Sequence, residues 1–215
     1  MPMGVPIQDS VAFRIGITQA EVYEQALTCC RRVPMAFIPA EQIRIVEFGE
    51  EDARDISRLF MEVWPLATEY PESWREKRSY SSKQIVEEMR ASYHYFGSRL
   101  KGRIVGVYKA KITEKGFFGE HQTVSPSCRA SGLASAMYIH FIEYARSHGC
   151  SRNYCNILVG QDVGMRLMHK FGFRPWGDPY EQQPGMLVQM YERPVAQEPE
   201  DNQEIRRQIM SSERL

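Results

Sequence analysis

One stretch of this sequence, VSPSCRASGLASAM from Val124 to Met137, constrains the fold more than any other. An alternating apolar run ends there at a proline, and a helical pattern begins after a set of small residues. Gly132 falls inside the first helical turn, where it lets another group approach the backbone closely. The N–H groups at a helix N-terminus are unpaired and carry partial positive charge. The junction therefore predicts either an anion-binding loop or an ordinary, well-packed turn between strand and helix.

The composition indicates a folded globular chain with balanced charge. The 215 residues suit one domain of moderate size, and 43% of them are hydrophobic. The 27 basic and 27 acidic residues cancel, which favours neither nucleic acid nor a membrane as a partner. No apolar run has the length of a transmembrane helix, and the start, MPMGVPIQDS, lacks the features of a signal peptide. The odd count of five cysteines, without a CxxC pair, predicts reduced thiols and a cytoplasmic location.

The chain divides into three predicted parts. Residues 1–40 form an N-terminal extension, residues 41–195 form the main domain, and residues 196–215 form a polar tail. Within the extension, Phe13–Ile17 is typical of a short strand. A capping-box pattern then predicts a helix over 18–31.

The main domain shows the pattern of a mixed α/β chain. Lys101-Gly102 is a hairpin signal, and a second turn precedes the next strand, so three consecutive strands predict an antiparallel meander. A capping-box pattern also opens the second helix, at Ser81 with Gln84. The predicted strands cover 43–48, 93–100, 103–112, 117–124, 153–159 and 186–192, and the predicted helices cover 53–63, 81–91, 131–148 and 162–171. Residues 64–80 are predicted to be an irregular, aromatic-rich connection.

Two motifs in this frame resemble those of a known family. The run Val124-x-Pro126-x-x-Arg129-x-x-Gly132-Leu133-Ala134 resembles the acyl-CoA-binding motif of the GNAT superfamily of N-acetyltransferases, in which Arg or Gln is followed after two residues by Gly and then by Gly or Ala. The segment Leu167–Phe173 resembles the second motif of that family, where a helix ends in Lys-x-Gly-Phe. The element order is also similar, so the resemblance covers about residues 43–193. It implies a GNAT-like fold, a central mixed sheet flanked by helices, and transfer of an acetyl or other acyl group from acyl-CoA to a primary amine.

The resemblance also implies a set of residues that bind the acyl-CoA. The pantetheine would lie in a V-shaped gap between the strand before the motif and the next parallel strand, lined by Gln122, Thr123 and Val124. The Val124 N–H would polarise the thioester carbonyl, while Arg129 would hold the loop or contact the ligand. The pyrophosphate would lie on Ala130, Ser131, Gly132, Leu133, Ala134 and Ser135. Gln161 falls where the family often has an Asn that contacts the cofactor.

The expected reaction needs a base and benefits from an acid. A primary amine with a pKa near about 10 is mostly protonated at neutral pH. Glu120 is the first candidate base and His121 the second; the alternatives are a solvated carboxylate and an ordinary strand histidine. Strand alternation predicts that Glu120 shares a side with Gln122 and Val124, opposite His121 and Thr123. The acid of the family is a Tyr whose position is occupied here by Met168, and Tyr180 or a water would replace it.

Other functions stay open on the sequence. The loop has Ala130 and Ser131 where the family often has basic residues, which keeps open an acyl-carrier-protein donor, as in N-acyl amino acid or autoinducer synthases. A non-catalytic acyl-CoA sensor is a further alternative. The acceptor is a small-molecule or protein amine, and dimers are common in the family. The aromatic connection, with Trp64, Tyr70, Trp74 and Tyr80, lies in the segment that forms the acceptor wall in the family. Most of these rings are expected to pack against the protein, with one or two of them facing the acceptor. The His and Cys spacing predicts no metal site.

Overall fold

The computed structural model describes residues 43–195. The strand and helix predicted for the N-terminal extension and the polar tail lie outside the described residues. The elements are β1 (Val46–Phe48), α1 (Ala53–Val63), α2 (Glu72–Arg78), α3 (Ser82–Arg90), β2 (His94–Leu100), β3 (Arg103–Thr113), β4 (Gly116–Val124), α4 (Leu133–Ser147), β5 (Arg152–Leu158), α5 (Asp162–Lys170), β6 (Arg174–Pro175), β7 (Tyr180–Gln183) and β8 (Met186–Pro194).

The strands of the described residues form one mixed sheet. Its order is β1-β2-β3-β4-β5-β8-β6, and β7 pairs with β8 outside that path. Strands β2, β3 and β4 form the predicted antiparallel meander. The pair β4–β5 is parallel, and α4 makes the crossover between these two strands. The sheet therefore has one parallel junction at its centre, directly beside the motif loop.

Helices cover both faces of the sheet. Helices α1 and α3 pack on one face, where Ile56, Phe60 and Ile85 meet Tyr95 and Val107. Helices α4 and α5 pack on the other face, where the buried side chains include Met137, Phe141, Met168, Phe96 and Phe117. Successive residues of a strand point to opposite faces, which is why Tyr95 and Phe96 belong to different cores. The predicted fold, a central mixed sheet flanked by helices, is confirmed.

Local signals set several of the boundaries. The Ser81 hydroxyl accepts from the Gln84 N–H, and the Gln84 side chain accepts from the Ser81 N–H, so the predicted capping box starts α3. Lys101 and Gly102 both have positive φ at the β2–β3 turn. The prediction for residues 64–80 was wrong in part, because α2 forms there directly after Pro71. Strand β7 was not predicted, since its sequence YEQQ is short and lacks apolar alternation.

Candidate functional site

Strands β4 and β5 diverge in the middle of the sheet. Their parallel pairing is limited to Phe117 with Asn153, Phe118 with Tyr154 and Gly119 with Cys155. Beyond these pairs β4 continues to Val124 and β5 to Leu158, and the described residues place no strand between them. Backbone groups on the facing edges of the two strands are therefore available to an extended ligand. This is the V-shaped gap that the sequence analysis expected.

The loop after β4 is held in an unusual backbone conformation. The Ser125 N–H donates to the Val105 carbonyl at 2.8 Å, and the Ser131 hydroxyl donates to the Cys128 carbonyl at 2.7 Å. Ala130 has a φ of 58° and Gly132 a φ of 85°. Both values lie in the left-handed region, which costs an alanine energy and a glycine almost none. The loop thus turns sharply enough to aim the start of α4 at the gap.

The N-terminus of α4 presents unpaired amides. Gly132 is the N-cap and brings no capping side chain, and the first ladder bond runs from the Ala136 N–H to the Gly132 carbonyl at 3.0 Å. The N–H groups of Leu133, Ala134 and Ser135 precede that bond. A Cβ added at Gly132 would meet no heavy atom of the described residues within 4 Å, so the space beside Gly132, at the start of α4, is open. Amides, helix dipole and open space together fit a phosphate group.

The side chains predicted to line the gap have distinct positions. The Gln122 amide donates to the Ala134 carbonyl at 3.2 Å, which ties β4 to the start of α4. The Thr123 hydroxyl accepts from the Trp64 indole N–H at 3.1 Å on the other face of the sheet, and Val124 packs on the core beneath α4. Because all three side chains make contacts within the protein, a ligand in the gap would meet the backbone of residues 122–124.

The remaining cofactor candidates divide between the core and the surface. Leu133 is buried, and its Cδ2 would lie 2.7 Å from a Cβ added at Gly106, so it anchors α4 to β3. Arg129 and Ala130 are exposed at the tip of the loop, while Ser135 is partly buried. Gln161 is the N-cap residue of α5, at the end of the turn that follows β5. The loop and Gln161 therefore lie at the ends of the two diverging strands.

A β-bulge at His121 changes the direction of the side chains on β4. Val107 pairs with Thr123 and Lys109 with Glu120, so His121 and Gln122 together oppose the single residue Tyr108. His121 has a φ of 62°. The bulge places Glu120 on the same face as His121, toward α1 and α3, whereas Gln122 faces α4. The prediction that Glu120 shares a side with Gln122 was wrong, because simple alternation does not hold across the extra residue.

Glu120 is surrounded by cations and a phenol. The Arg78 Nη1 lies 3.1 Å and the Lys109 Nζ 3.4 Å from its carboxylate, and the Tyr93 hydroxyl donates to it at 3.1 Å. Burial raises the pKa of Glu120, but Arg78, Lys109 and the hydrogen bonds outweigh burial, so the pKa lies below its ordinary value. Glu120 is thus an ionised carboxylate at neutral pH and a weak proton acceptor.

Lys109 joins Glu120 to a second carboxylate. Its side chain is only 2% exposed, and its Nζ donates to Glu88 on α3 at 2.6 Å and 2.7 Å. Glu88 also accepts from the Tyr95 hydroxyl. The two cations, Arg78 and Lys109, balance the two carboxylates of Glu88 and Glu120, so the pairs are compensated although they are largely removed from water. Sequence reasoning missed Arg78, Lys109, Glu88 and Tyr93; the signal was a lysine within the apolar run RIVGVYKAKIT.

His121 is enclosed by aromatic rings. It is 5% exposed and stacks on Phe60 with ring centroids 4.1 Å apart, with Trp64 and Tyr80 against its edges. Its Nε2–H donates to the Arg78 carbonyl at 3.0 Å. Burial, with the charges of Arg78 and Lys109, lowers the pKa of His121 well below its ordinary value. The neutral ring therefore binds the bulge of β4 to the end of α2 through this hydrogen bond.

Of the two positions considered for a proton donor, Met168 on α5 is apolar and Tyr180 has a phenol. Met168 is fully buried, and the Cys155 Sγ lies 3.4 Å from its Sδ. Tyr180 lies on β7, is 40% exposed, and accepts a hydrogen bond from the Asn156 amide at 2.7 Å.

Among residues 43–195 no group of three or more His, Cys, Asp or Glu side chains could hold a metal ion. The same residues contain no helix that is long and apolar enough to cross a membrane.

Comparisons with known proteins agree on one family. A profile of the acetyltransferase (GNAT) family matches residues 54–173. The ribosomal-protein-S18-alanine N-acetyltransferase of Escherichia coli is 14% identical at a TM-score of 0.59, with 74% of this chain and 97% of that chain covered.

Two ligand-bound structures show the same fold. The PaiA N-acetyltransferase of Thermoplasma acidophilum with coenzyme A is 15% identical at a TM-score of 0.58, covering 69% of this chain and 97% of that one. YncA of Salmonella typhimurium with acetyl-CoA is 15% identical at a TM-score of 0.59, covering 74% of this chain and 96% of that one. No curated protein matched the sequence significantly.

Proposed function

Because the chain belongs to the acetyltransferase (GNAT) family, we propose that it is an N-acyltransferase that moves an acetyl or other acyl group from acyl-CoA to a primary amine. One observation carries the proposal: the gap between β4 and β5 ends at a helix N-terminus with unpaired amides and open space at Gly132. An elongated thioester with a pyrophosphate matches that combination of an extended channel and an anion-binding end.

The backbone of the gap would bind and orient the acyl-CoA. The edge of β4 from Gln122 to Val124 offers amides and carbonyls to the pantetheine, and the Val124 N–H is proposed to polarise the thioester carbonyl. The amides of residues 133–135 would accept the pyrophosphate. Gln161 and Arg129 would contact the cofactor from the two ends of the diverging strands. The amides of β4 and of the start of α4 are held in position by the fold, which favours reaction by proximity.

The acceptor amine would approach from the face that carries Glu120. This residue is the first on β4 beyond the last β4–β5 pair, and its carboxylate is ionised. We propose that Glu120 receives the proton of the attacking amine. Because neighbouring cations lower its pKa, this transfer is weak, and positioning of amine and thioester contributes most of the rate. His121 is the second candidate base, and its enclosed ring favours the role of holding the bulge.

A carrier-protein donor is the second candidate for the acyl source. The loop from Ser125 to Gly132 contains a single cation, Arg129, so few charges are available there for the adenosine phosphates of CoA. An acyl-carrier protein presents the same pantetheine thioester without those phosphates. The gap would then serve the pantetheine, and the α4 N-terminus would bind the phosphodiester that links it to the carrier.

A thermal-shift titration tests the proposed function. A ligand that binds only the folded state stabilises it by about 2.7 kcal/mol at a hundredfold excess over its dissociation constant. Acetyl-CoA, longer acyl-CoAs and free CoA should each raise the melting temperature, and their order ranks the acyl chains. A screen of amine acceptors follows with the best donor. Absence of any shift with every CoA species would overturn the CoA donor and favour the carrier protein.

A further inference from the structure

Helices α1 and α3 cover only part of the sheet face that carries Glu120. The buried cluster beneath them takes side chains from β1, β2 and β3 and none from β5, β6, β7 or β8. On the opposite face, α4 and α5 bury Cys155 of β5 and Tyr191 of β8. Among residues 43–195, the β5–β8–β6 part of the sheet is therefore packed on one face and left without α1 or α3 on the other.

A row of paired residues crosses this uncovered part of the sheet. Directly opposed residues of neighbouring strands lie on the same face. From β3 to β6, the register pairs in succession Lys111, Phe118, Tyr154, Glu192 and Arg174. The Phe118 and Tyr154 rings are in contact, with centroids 5.0 Å apart. Because Glu120 follows Phe118 by two residues on β4, before the bulge, the row lies on the same face as Glu120.

Cations surround the aromatic rings of this row. Trp176, directly after β6, meets the Tyr154 ring edge-on at 5.8 Å. The Arg152 Cζ lies 4.8 Å and the Lys115 Nζ 5.9 Å from the centroid of the Trp176 ring. We call this surface the basic face; its rings are Phe118, Tyr154 and Trp176, and its cations are Lys111, Lys115, Arg152 and Arg174.

The basic face carries more positive than negative charge. Glu192 is the carboxylate of the row, and it pairs with Arg152 at 2.7 Å and with Arg174 at 3.4 Å. When Glu114 of the adjacent β3–β4 turn is included, the four cations still outnumber the two carboxylates. The side chain of Arg174 is 67% exposed and Lys115 is exposed as well, so both can contact a partner. Because the whole chain is neutral, this local excess favours an anionic partner at this surface.

The basic face lies close to the end of the β4–β5 pairing. Phe118 and Tyr154 form the pair before the last one, and Arg152 precedes Tyr154 by two residues on β5. With a rise of about 3.3 Å per residue, a peptide with its amine at Glu120 and its chain along β4 and β5 would place its second to fifth residues over these cations. On the basis of the proposed acyl transfer, we propose that the basic face binds an acidic segment of a peptide or protein acceptor.

The rings of the basic face favour a peptide over a nucleic acid. Proteins that bind unpaired bases stack them on open aromatic faces. Here cations lie over the Trp176 ring, and Tyr154 is only 7% exposed. Separate exposed cations between packed rings instead match the spaced carboxylates of an extended acidic peptide, which contribute mainly through ion pairs and through steering of the encounter.

Two short peptides test the preference for an acidic segment. One has Glu at its second to fifth residues and the other has Gln there; neither contains Lys, and the fluorophore is at the C-terminus. Their free α-amine has a pKa of about 7.7, so a neutral fraction is present at pH 7 even though Glu120 is a weak proton acceptor. Fluorescence anisotropy gives their dissociation constants for the full chain in the presence of CoA. The acidic peptide should bind about tenfold more tightly, and added salt should reduce this preference.

Charge reversal at two exposed positions locates the binding surface. Lys115→Glu combined with Arg174→Glu should reduce the preference to about twofold or less, because two of the four cations become carboxylates. Arg58→Glu combined with Lys83→Glu is the matched control, on α1 and α3, where these side chains are 60% and 86% exposed. It changes the net charge equally and should keep the preference. With acetyl-CoA, the same order should appear in the KM for the peptide, with kcat nearly unchanged.

A thermal shift with CoA separates this proposal from the proposed function. CoA should stabilise the parent chain and the Lys115→Glu, Arg174→Glu variant equally. If CoA does not bind the parent chain, the proposed CoA-dependent function fails, and the acceptor role of the basic face fails with it. If CoA binds but both peptides bind equally, or if the variant keeps the preference, the basic-face proposal is overturned and the CoA site stands.

Two other occupants of the basic face would also overturn the proposal. If a single-stranded oligonucleotide binds more tightly than the acidic peptide and loses affinity in the Lys115→Glu, Arg174→Glu variant, the partner is a nucleic acid. The polar tail is the second alternative occupant, because it follows β8 directly and is rich in acids. The tail is the occupant if the acidic peptide binds only after Gln replaces Glu198, Glu200, Asp201 and Glu204.

Discussion

The guanidinium of Arg78, at the end of α2, lies 3.1 Å from the carboxylate of Glu120, and their side chains are only 11% and 18% exposed. The carbonyl of the same Arg78 accepts a hydrogen bond from His121, the next residue on β4. Glu120 therefore contacts the side chain of Arg78 and His121 contacts its backbone, so two successive residues of β4 bind the same end of α2. This double contact fixes the wall of the proposed acceptor site against the β-bulge.

Replacing Glu120 by Gln should destabilise the fold by about 3 kcal/mol at neutral pH. The change leaves the Arg78 charge, which is largely buried, without its carboxylate partner. The free energy of unfolding in urea gives the measurement. Glu87→Gln, in the exposed pair with Lys83 at 3.8 Å, is the matched control and should show no measurable change.

The effect of Glu120→Gln should also depend on pH. Because the folded pKa of Glu120 is lowered, its contribution is complete above the unfolded value of about 4.3 and disappears as pH falls through the folded value. The difference in unfolding free energy between the parent chain and the variant should therefore shrink below about pH 4. A difference that stays constant from pH 7 to pH 3 would contradict the paired carboxylate.

Replacing Lys109 by Met should cost about 3 kcal/mol or more, because two carboxylates lose their shared cation in a largely buried site. Adding Glu88→Gln should recover part of that loss, since the unpaired charge is then removed. A double-mutant cycle from urea unfolding measures the coupling. Lys111→Met, on the same strand but with its Nζ 4.5 Å from the Tyr93 ring, should change stability by less than about 1 kcal/mol. Strictly additive effects of Lys109 and Glu88 would argue against the network.

Replacing Gly132 by Leu should weaken CoA binding at least tenfold and leave the fold intact. A side chain there enters the open space beside Gly132, where the pyrophosphate is proposed to bind, and the φ of 85° adds strain of about 1–2 kcal/mol. Gly102→Leu is the matched control, because Gly102 has a φ of 79° and equally open surroundings in the β2–β3 turn. Both variants should lose similar stability, and only Gly132→Leu should lose affinity. Equal CoA affinity in the two variants would show that the phosphates bind elsewhere.

The unfolding free energy should fall in mild acid because of His121. Its folded pKa lies well below the unfolded value of about 6.5, so the unfolded chain takes up a proton that the folded chain does not. Stability attributable to this group is therefore complete above about pH 6.5 and falls by up to about 1.4 kcal/mol per pH unit below it. His121→Gln should remove that slope.

His140 provides the comparison for this slope. Burial lowers the pKa of His140 too, but Glu47 acts in the opposite direction and the ring is less deeply buried. His140→Gln should therefore remove a smaller part of the acid slope than His121→Gln. Equal slopes in the parent chain and in His121→Gln would indicate that the ring is accessible to protons in the folded state.

The helix starts and turns that were predicted correctly depend on local sequence signals. Ser81 with Gln84 marks a helix start, and Lys101-Gly102 marks a hairpin, whereas Gly132, expected inside the first helical turn, is the left-handed N-cap just before α4. Each signal depends on a few neighbouring residues and on backbone preferences that act at short range. The same is true of the parallel β4–α4–β5 unit, whose alternating and helical periods are visible in the printed sequence.

The tertiary structure decided which side chains meet at the site. The bulge at His121 arises from the register of β4 against β3, so the face on which Glu120 lies cannot be read from β4 alone. The partners of Glu120 come from α2, from the residue just before β2 and from β3. Sequence by itself determined most of the elements and the position of the turn before α4, because these follow from local periodicity and backbone freedom. The charged and polar partners of Glu120 are tens of positions apart from it in most cases, and only packing brings them together.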